Sequence, residues 1–338
     1  MNVELIATVV KMALTLGLLL NVVPVMVWVE RRGSALMQDR PGPNRLGPWG
    51  LFQALADAAK FIFKEDVTPN AVDLPLYLAA PVLALLPALT TITVVPFGPD
   101  LVFRGHAIPL VVADADAGVL LFLALASLGV YGIVMAGYAS NNKFSLLGSI
   151  RASAQLISYE LALTLSVVAV VIPASSFRLA DIVAYQRGHV WNFIPQFLGF
   201  LVFLVASFAE TNRLPFDLSE AESELIAGFH TEYSAMRFAT FFMAEYIAMT
   251  SLSALGVTLY FGGWSLPGVH LQGWLGAIVG LAVLCAKVAV CLGFFVWVRW
   301  TFPRFRYDQL MRLGWKVLLP IAIVNLILVA VLTIHGTL

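Results

Sequence analysis

Long apolar runs separated by shorter polar stretches recur along the whole chain. A helix needs about 20 apolar residues to cross ~30 Å of hydrocarbon. Eight runs approach or exceed that length: Leu5–Val29, Leu74–Pro96, Ala117–Tyr138, Ala154–Pro173, Phe193–Ala209, Ala235–Phe261, Leu275–Val298 and Val317–His335. The fifth is short and runs toward a polar loop, whereas the sixth is long enough to tilt or to continue past the membrane. The pattern predicts an all-α polytopic membrane protein, with residues 1–338 forming one transmembrane domain of about eight helices.

Two polar intervals interrupt it. Residues 31–73 form a loop whose start, Arg40-Pro41-Gly42-Pro43-Asn44-Arg45-Leu46-Gly47-Pro48, is broken repeatedly by proline and glycine. From Leu51 to Lys64 it becomes amphipathic: Gln53, Asp57, Lys60 and Lys64 share one helical face, and Leu51, Leu55, Ala58, Ala59 and Ile62 form much of the other. Such a helix either lies in the membrane interface or turns its charged face to a cavity or a soluble partner. The second interval, 209–234, is acidic, with Glu210, Asp217, Glu220, Glu222, Glu224 and Glu232. Asp217, Glu220 and Glu224 fall on one helical face. Like charges at that spacing repel, which favours sharing protons among them.

Composition agrees with the pattern. The chain is 60% hydrophobic and 12% charged, with a mean hydropathy of +0.88. Soluble domains carry about 25% charged residues. Formal net charge is zero, so no global field points to nucleic acid. Cys285 and Cys291 are wrongly phased to bridge within one helix and read as small core residues. The five histidines are scattered without metal-ligand spacing. The start, Met1-Asn2-Val3-Glu4, lacks a basic region, so the first span is expected to be retained.

Basic residues set the orientation. Fourteen lie in or beside the odd-numbered loops, including Arg31, Arg32, Arg40, Arg45, Lys60, Arg213, Arg299 and Arg304. Only Arg104, Arg178 and Arg187 lie on the other side. The odd-numbered loops are therefore expected in the cytoplasm and both termini outside.

Several charges fall inside spans. Glu160 lies in the fourth, Arg237 and Glu245 in the sixth, and Lys287 near the middle of the seventh. Lys11 is close enough to the first span's end to snorkel outward. The deeper groups either form buried ion pairs that fix helix packing or relay protons or ions. No phosphate-binding glycine loop, iron–sulfur cysteine set or nucleophile elbow is present, so any redox centre belongs to another chain.

Four long motifs carry a family resemblance. The first is Glu30-Arg31-Arg32, with Gln38-Asp39-Arg40-Pro41-Gly42-Pro43-Asn44-Arg45, Ala56-Asp57 and Lys60. The second is Tyr138-Ala139-Ser140-Asn141-Asn142-Lys143, with Arg151 and Gln155 through Glu160. The third is the acidic run continued by Gly228-Phe229-His230-Thr231-Glu232-Tyr233-Ser234 and Glu245-Tyr246. The fourth is Trp297-Val298-Arg299, with Pro303-Arg304-Phe305-Arg306-Tyr307-Asp308-Gln309-Leu310-Met311 and Trp315-Lys316. In this order they resemble the H-subunit family of bacterial respiratory complex I, the proton-pumping NADH:quinone oxidoreductase. Tyr138, Phe144 and Ala227 depart from the family pattern without removing a charge.

The resemblance implies a bacterial inner-membrane subunit that joins the soluble and membrane arms and offers quinone, its substrate, a tunnel out of the bilayer. It implies no cofactor held covalently or by metal ligands in this chain. Flavin mononucleotide and iron–sulfur clusters would sit on partner subunits. Partners would be the soluble-arm subunits around the last cluster, small membrane subunits, antiporter-like subunits and lipid. Arg31, Arg32, Gln38, Arg40, Arg45, Gln53, Asp57, Lys60, Glu210, Arg213 and Asp217 would line the tunnel or cavity. Glu160, Glu220, Glu222, Glu224, Glu232 and Glu245 would form a proton path, with Arg237, Lys287 and Arg299 as charge partners. The competing readings are the corresponding subunit of a membrane-bound hydrogenase complex and a stand-alone proton or ion transporter. The second would not need the long basic loop.

Overall fold

The computed structural model describes residues 3–103, 106–218, 226–268 and 273–336. Seven helices among the described residues are long and apolar enough to cross a membrane. They are α1 (Val3–Met37), α3 (Leu74–Thr91, extended by a 3-10 turn to Val94), α4 (Gly118–Ala139), α5 (Lys143–Ala174), α8 (Ala235–Tyr260), α9 (Gly273–Thr301) and a composite last span. The last joins α10 (Tyr307–Leu313) to α11 (Leu319–Ile334) through a π-helical turn, Gly314–Leu318. The predicted fifth span becomes α7 (Phe197–Glu210), whose 14 residues rise about 21 Å and fall short of the hydrocarbon thickness. Two shorter helices are α2 (Gln53–Phe63) and α6 (Leu179–Gly188). A small antiparallel hairpin, β1 (Leu101–Phe103) with β2 (His106–Ile108), is the one departure from an all-α chain among the described residues.

Local chemistry explains the ends. Asn142 begins α5, its side chain accepting from Phe144 N at 2.9 Å to satisfy a free helix N–H. That cap lies 12 residues upstream of the expected start of the fourth span, so Arg151 is helical. Likewise α1 continues to Met37, so Glu30, Arg31 and Arg32 belong to its last turns and not to the loop. Small residues let helices approach closely. At Gly132 of α4, an added Cβ would stand 2.6 Å from Ala84 N of α3.

The bundle is centred on α8, 78% of whose most apolar window is buried, against 17% for α1. α3, α9, α1, α6 and α7 pack around α8, and α5 packs against α4, α7 and α11. The outer faces of α1, α9 and α11 are apolar and exposed, as expected of surfaces meeting lipid or neighbouring subunits. Cys285 lies on such a face of α9 and Cys291 is half-buried, so neither is the core residue expected from its apolar setting.

The polar ends sort into two groups. On one side, Asn141 Nδ2 donates to Ala71 O, Asn142 to Glu232, and Arg304 to Asp217, joining the loops after the predicted odd-numbered spans. On the other, Lys11 Nζ donates to Pro109 O and Val111 O at 3.0 and 2.6 Å. There Arg178 pairs with Asp114 through Nε at 2.7 Å, and Asp114 raises the Arg178 pKa, chiefly by hydrogen bonding.

Candidate functional site

Three elements converge on one carboxylate of α1, Glu30, which is only 7% exposed. Arg213, from the loop after α7, places NH1 3.2 Å from Glu30 Oε1. Arg299 of α9 bonds the same oxygen, and the hydroxyl of Tyr246 on α8 donates to Glu30 Oε2. Arg213 itself is 5% exposed and reaches on to α8, its Nε lying 2.5 Å from Glu245 Oε1. Its guanidinium also stacks over the Tyr246 ring at 4.3 Å. Burial alone would lower the Arg213 pKa, but Glu245, Tyr246 and Glu30 together raise it above the ordinary arginine value. Two cations and two carboxylates thus neutralise one another, the condition under which charges persist inside a protein.

Glu245 also faces a cavity of about 100 Å3. Glu210, at the end of α7, lines the same cavity, together with Thr211, Asn212 and Ser251. Phe122, Phe229 and Phe241 supply apolar wall. Glu210 Oε2 is buried and has no hydrogen-bond partner among the described residues. Its electrostatic neighbour is Glu160 of α5, which meets Ser127 of α4. Gln155 Nε2 braces the chain on both sides of Glu210, donating to Ala209 O at 2.8 Å and to Asn212 Oδ1 at 3.2 Å. At roughly 30 Å3 per liquid water, the cavity suits a few water molecules. It places Glu210, expected on the quinone cavity, with Glu245, expected on the proton path.

The remaining expected residues fall into separate places. Arg31 pairs with Asp57 of α2, and Gln53 Nε2 donates to Asp57 Oδ1 at 3.3 Å. Arg32 NH1 donates to Trp49 O at 3.1 Å, which Trp28 also reaches at 3.0 Å. Gln53 and Asp57 therefore turn toward the protein, while Leu55, Ile62 and Phe63 point away, Phe63 being 88% exposed. Gln38, Arg40, Arg45, Lys60 and Lys64 are exposed. Asp217 is held by Arg304 NH2 at 2.9 Å. Glu220, Glu222 and Glu224 lie outside the described residues.

The expected charge partners are redistributed. Arg237 pairs with Asp66 at 3.0 Å, and Glu232 accepts from Asn142 Nδ2 at 2.7 Å. Lys287 donates to the carbonyls of Phe261, Gly263 and Ser265, at 2.7, 2.9 and 2.7 Å, and sits 4.6 Å over the Trp191 ring. These oxygens belong to the chain leaving α8, so Lys287 secures a loop. Arg299 does pair with a carboxylate, but with Glu30, and Arg213 is the partner of Glu245. Sequence patterning assigned no site role to Glu30, Asp66 or Tyr246. The available signal for Glu30 was its place one residue past a predicted span, directly before two arginines.

Comparison with known proteins agrees with the motifs. A family model described as NADH dehydrogenase matches residues 10–330. The chain is 46% identical over 342 aligned positions to the second of the H subunits of NADH-quinone oxidoreductase in Koribacter versatilis, covering 96% of both chains. It is 50% identical over 317 positions to the first of the H subunits of the same enzyme in Geobacter metallireducens, covering 94% of this chain and 93% of that one. The H subunit of the Leptospira biflexa enzyme is 48% identical over 321 positions, covering 90% and 89%.

Proposed function

The chain belongs to the NADH dehydrogenase family as a multi-pass membrane protein of the H-subunit type, and we propose that it couples quinone reduction in an NADH-quinone oxidoreductase to proton movement. The observation that carries the reading is the shared cavity: Glu210 and Glu245 face one small space in an otherwise mostly apolar wall, and Glu245 is tied through Arg213 to Glu30 and Arg299.

Reducing a quinone to a quinol consumes two electrons and two protons. The electrons would come from iron–sulfur clusters on soluble-arm subunits, fed from NADH through flavin mononucleotide. This chain supplies the wall and the carboxylates. Arg31–Asp57, Gln53 and the Arg32–Trp49 contact hold α2 and the Pro/Gly-rich loop against α1. That assembly would form one side of the quinone route, with exposed Arg40, Arg45 and Lys60 facing soluble-arm subunits.

Proton loss near the quinone leaves negative charge, which shifts the proton affinity of nearby carboxylates. Glu210 is positioned to respond, having one oxygen free of protein partners among the described residues and a carboxylate neighbour in Glu160. A few waters in the cavity would link Glu210 to Glu245, and Glu160 would carry the path toward α4. The acidic residues Glu220, Glu222 and Glu224 would precede it. The charge bias supports odd-numbered loops in the cytoplasm and both termini in the periplasm of a bacterial inner membrane, with the short α7 making the eighth passage. Their gathering on one side of the bundle supports that orientation.

The test is Glu210→Gln and Glu245→Gln in the assembled complex in closed vesicles, measuring quinone reduction and proton uptake together. Both variants should lower reduction and pumping by about tenfold or more, within the general range for a proton-transfer group. Parental rates of both processes in both variants, and in neutral variants of Glu220 and Glu224, would overturn the reading.

A further inference from the structure

We propose that Asp66 and Arg237 form a positioning clasp that fixes the far end of the acidic loop against the segment following α2. The acidic interval must return to the bundle at α8, and residues 231–237 are its path. Four contacts bind this path to residues 66–68. Arg237 Nε lies 3.0 Å from Asp66 Oδ2, and Arg237 NH1 donates to Thr68 Oγ1 at 2.8 Å. The Ser234 hydroxyl accepts from Val67 N at 3.0 Å. It stands 3.2 Å from Asp66 Oδ1 and 3.3 Å from Val67 O, one of which takes its single proton. The contacts cross more than 160 residues of sequence, so they fix tertiary position.

The clasp continues into the bundle. Arg237 sits 5.2 Å over the ring of Tyr77, which stacks on Tyr233 at 4.2 Å. Tyr77 OH donates to Glu232 O at 2.8 Å, and Tyr233 OH donates to Tyr77 O at 3.1 Å. The Glu232 carboxylate is held by Asn142, whose Oδ1 caps α5. Glu232 is thereby fixed from both sides. The near end of the acidic interval is held separately, by Arg304 on Asp217 and by Phe305 N donating to Pro215 O at 3.2 Å. The two described ends of the acidic interval are thus each anchored, and the far anchor is shared with the chain that carries α2.

This makes Arg237 a positioning residue in place of a proton-path partner, and gives Asp66 a role that its place in a polar loop did not indicate. The inference rests on the reading that α2 and the acidic interval border the quinone route. If they do, loosening the clasp changes how well quinone fits before it changes how fast electrons arrive.

The experiment uses the complete complex purified from its own membranes, with Asp66→Asn, Arg237→Gln and the charge exchange Asp66→Arg with Arg237→Asp. NADH oxidation is measured against a short-chain quinone and against a hydrophilic acceptor that takes electrons from the soluble arm. Each single variant should raise the quinone KM about fivefold with kcat within about twofold, the pattern of lost uniform binding. The hydrophilic-acceptor rate should stay at the parental level, and the exchange should bring KM back toward the parent. Parental KM in the assembled single variants overturns the proposal. An exchange no better than the singles overturns it equally, because it leaves only general damage to the fold. Asp57→Asn and Glu210→Gln run alongside separate the two failures. Altered quinone kinetics in those two alone removes the clasp and keeps the quinone reading, while parental kinetics in all removes both.

Discussion

Arg213 and Glu245 form a buried ion pair at 2.5 Å between the loop after α7 and the middle span of the bundle. The same guanidinium approaches Glu30 at 3.2 Å, so one cation joins α1 to α8. Removing one partner of such a pair leaves an uncompensated buried charge, at a cost of about 3–5 kcal/mol. Arg213→Leu strands Glu245 and takes from Glu30 one of its two arginines. The expected outcome is loss of stably assembled complex, measured by recovery on native gels and by thermal inactivation. Arg213→Lys keeps the charge but reaches one carboxylate less well than a guanidinium fork. It should assemble and run more slowly. Full assembly and parental thermal stability in Arg213→Leu would count against a central role for the pair.

Glu30→Gln tests the other end of the knot. The amide keeps a carbonyl acceptor for Tyr246 but removes the charge that Arg299 and Arg213 share. Two arginines then crowd a neutral group while Glu245 remains the sole buried carboxylate beside them. Assembly should survive, with thermal inactivation at lower temperature and quinone reduction lowered several-fold. Glu30→Gln combined with Arg299→Gln restores the charge balance and should recover stability relative to Glu30→Gln alone. Absence of that recovery would separate Glu30 and Arg299 energetically despite their contact.

Gly132 sets the spacing between α3 and α4. A Cβ there would stand 2.6 Å from Ala84 N and 2.9 Å from Ala84 Cα, both backbone atoms that cannot swing aside. Overpacking of this kind costs typically about 1–3 kcal/mol. Gly132→Ala should therefore lower the thermal inactivation temperature and disturb the cavity that Gly129, Ala84 and Ala88 help to enclose. Gly129→Ala is the control, since its Cβ would meet nothing within 4 Å. Equal effects of the two substitutions would remove the steric argument.

The spans were legible because hydrocarbon imposes length and apolarity, and seven of the eight appear as helices long enough to cross. Helix ends were less legible where polar residues continue a helix past the apolar stretch. Glu30 was missed for that reason: α1 carries it inside the bundle, although the apolar run stops at Val29. The carboxylates Glu160, Glu210 and Glu245 were visible as costly groups near hydrocarbon. Their partners were not, because pairing Glu245 with Arg213 or Arg237 with Asp66 depends on tertiary approach between distant segments. The outward apolar face of α2 shows the same limit. Periodicity defined its two faces, but Arg31 on α1 decides that Asp57 turns inward.

Lys287 offers a sharp distinction between depth in the sequence and role in the structure. Its place near the middle of an apolar run suggested a partner for the glutamates. Its ammonium instead satisfies three carbonyls in the loop that follows α8 and stacks on Trp191. Loop carbonyls have no helical donor of their own, and a cation beside a helix C-terminus is favourable. Lys287→Met removes all three bonds, so the loop from Phe261 to Ser265 should loosen, read as faster amide exchange and a lower thermal inactivation temperature. The ratio of protons pumped to electrons transferred should stay at the parental value, because no carboxylate of the Glu30–Glu245–Glu210 group accepts from Lys287. A reduced ratio in the fully assembled Lys287→Met complex would place this lysine back on the proton path and show that the three carbonyls are not its only function.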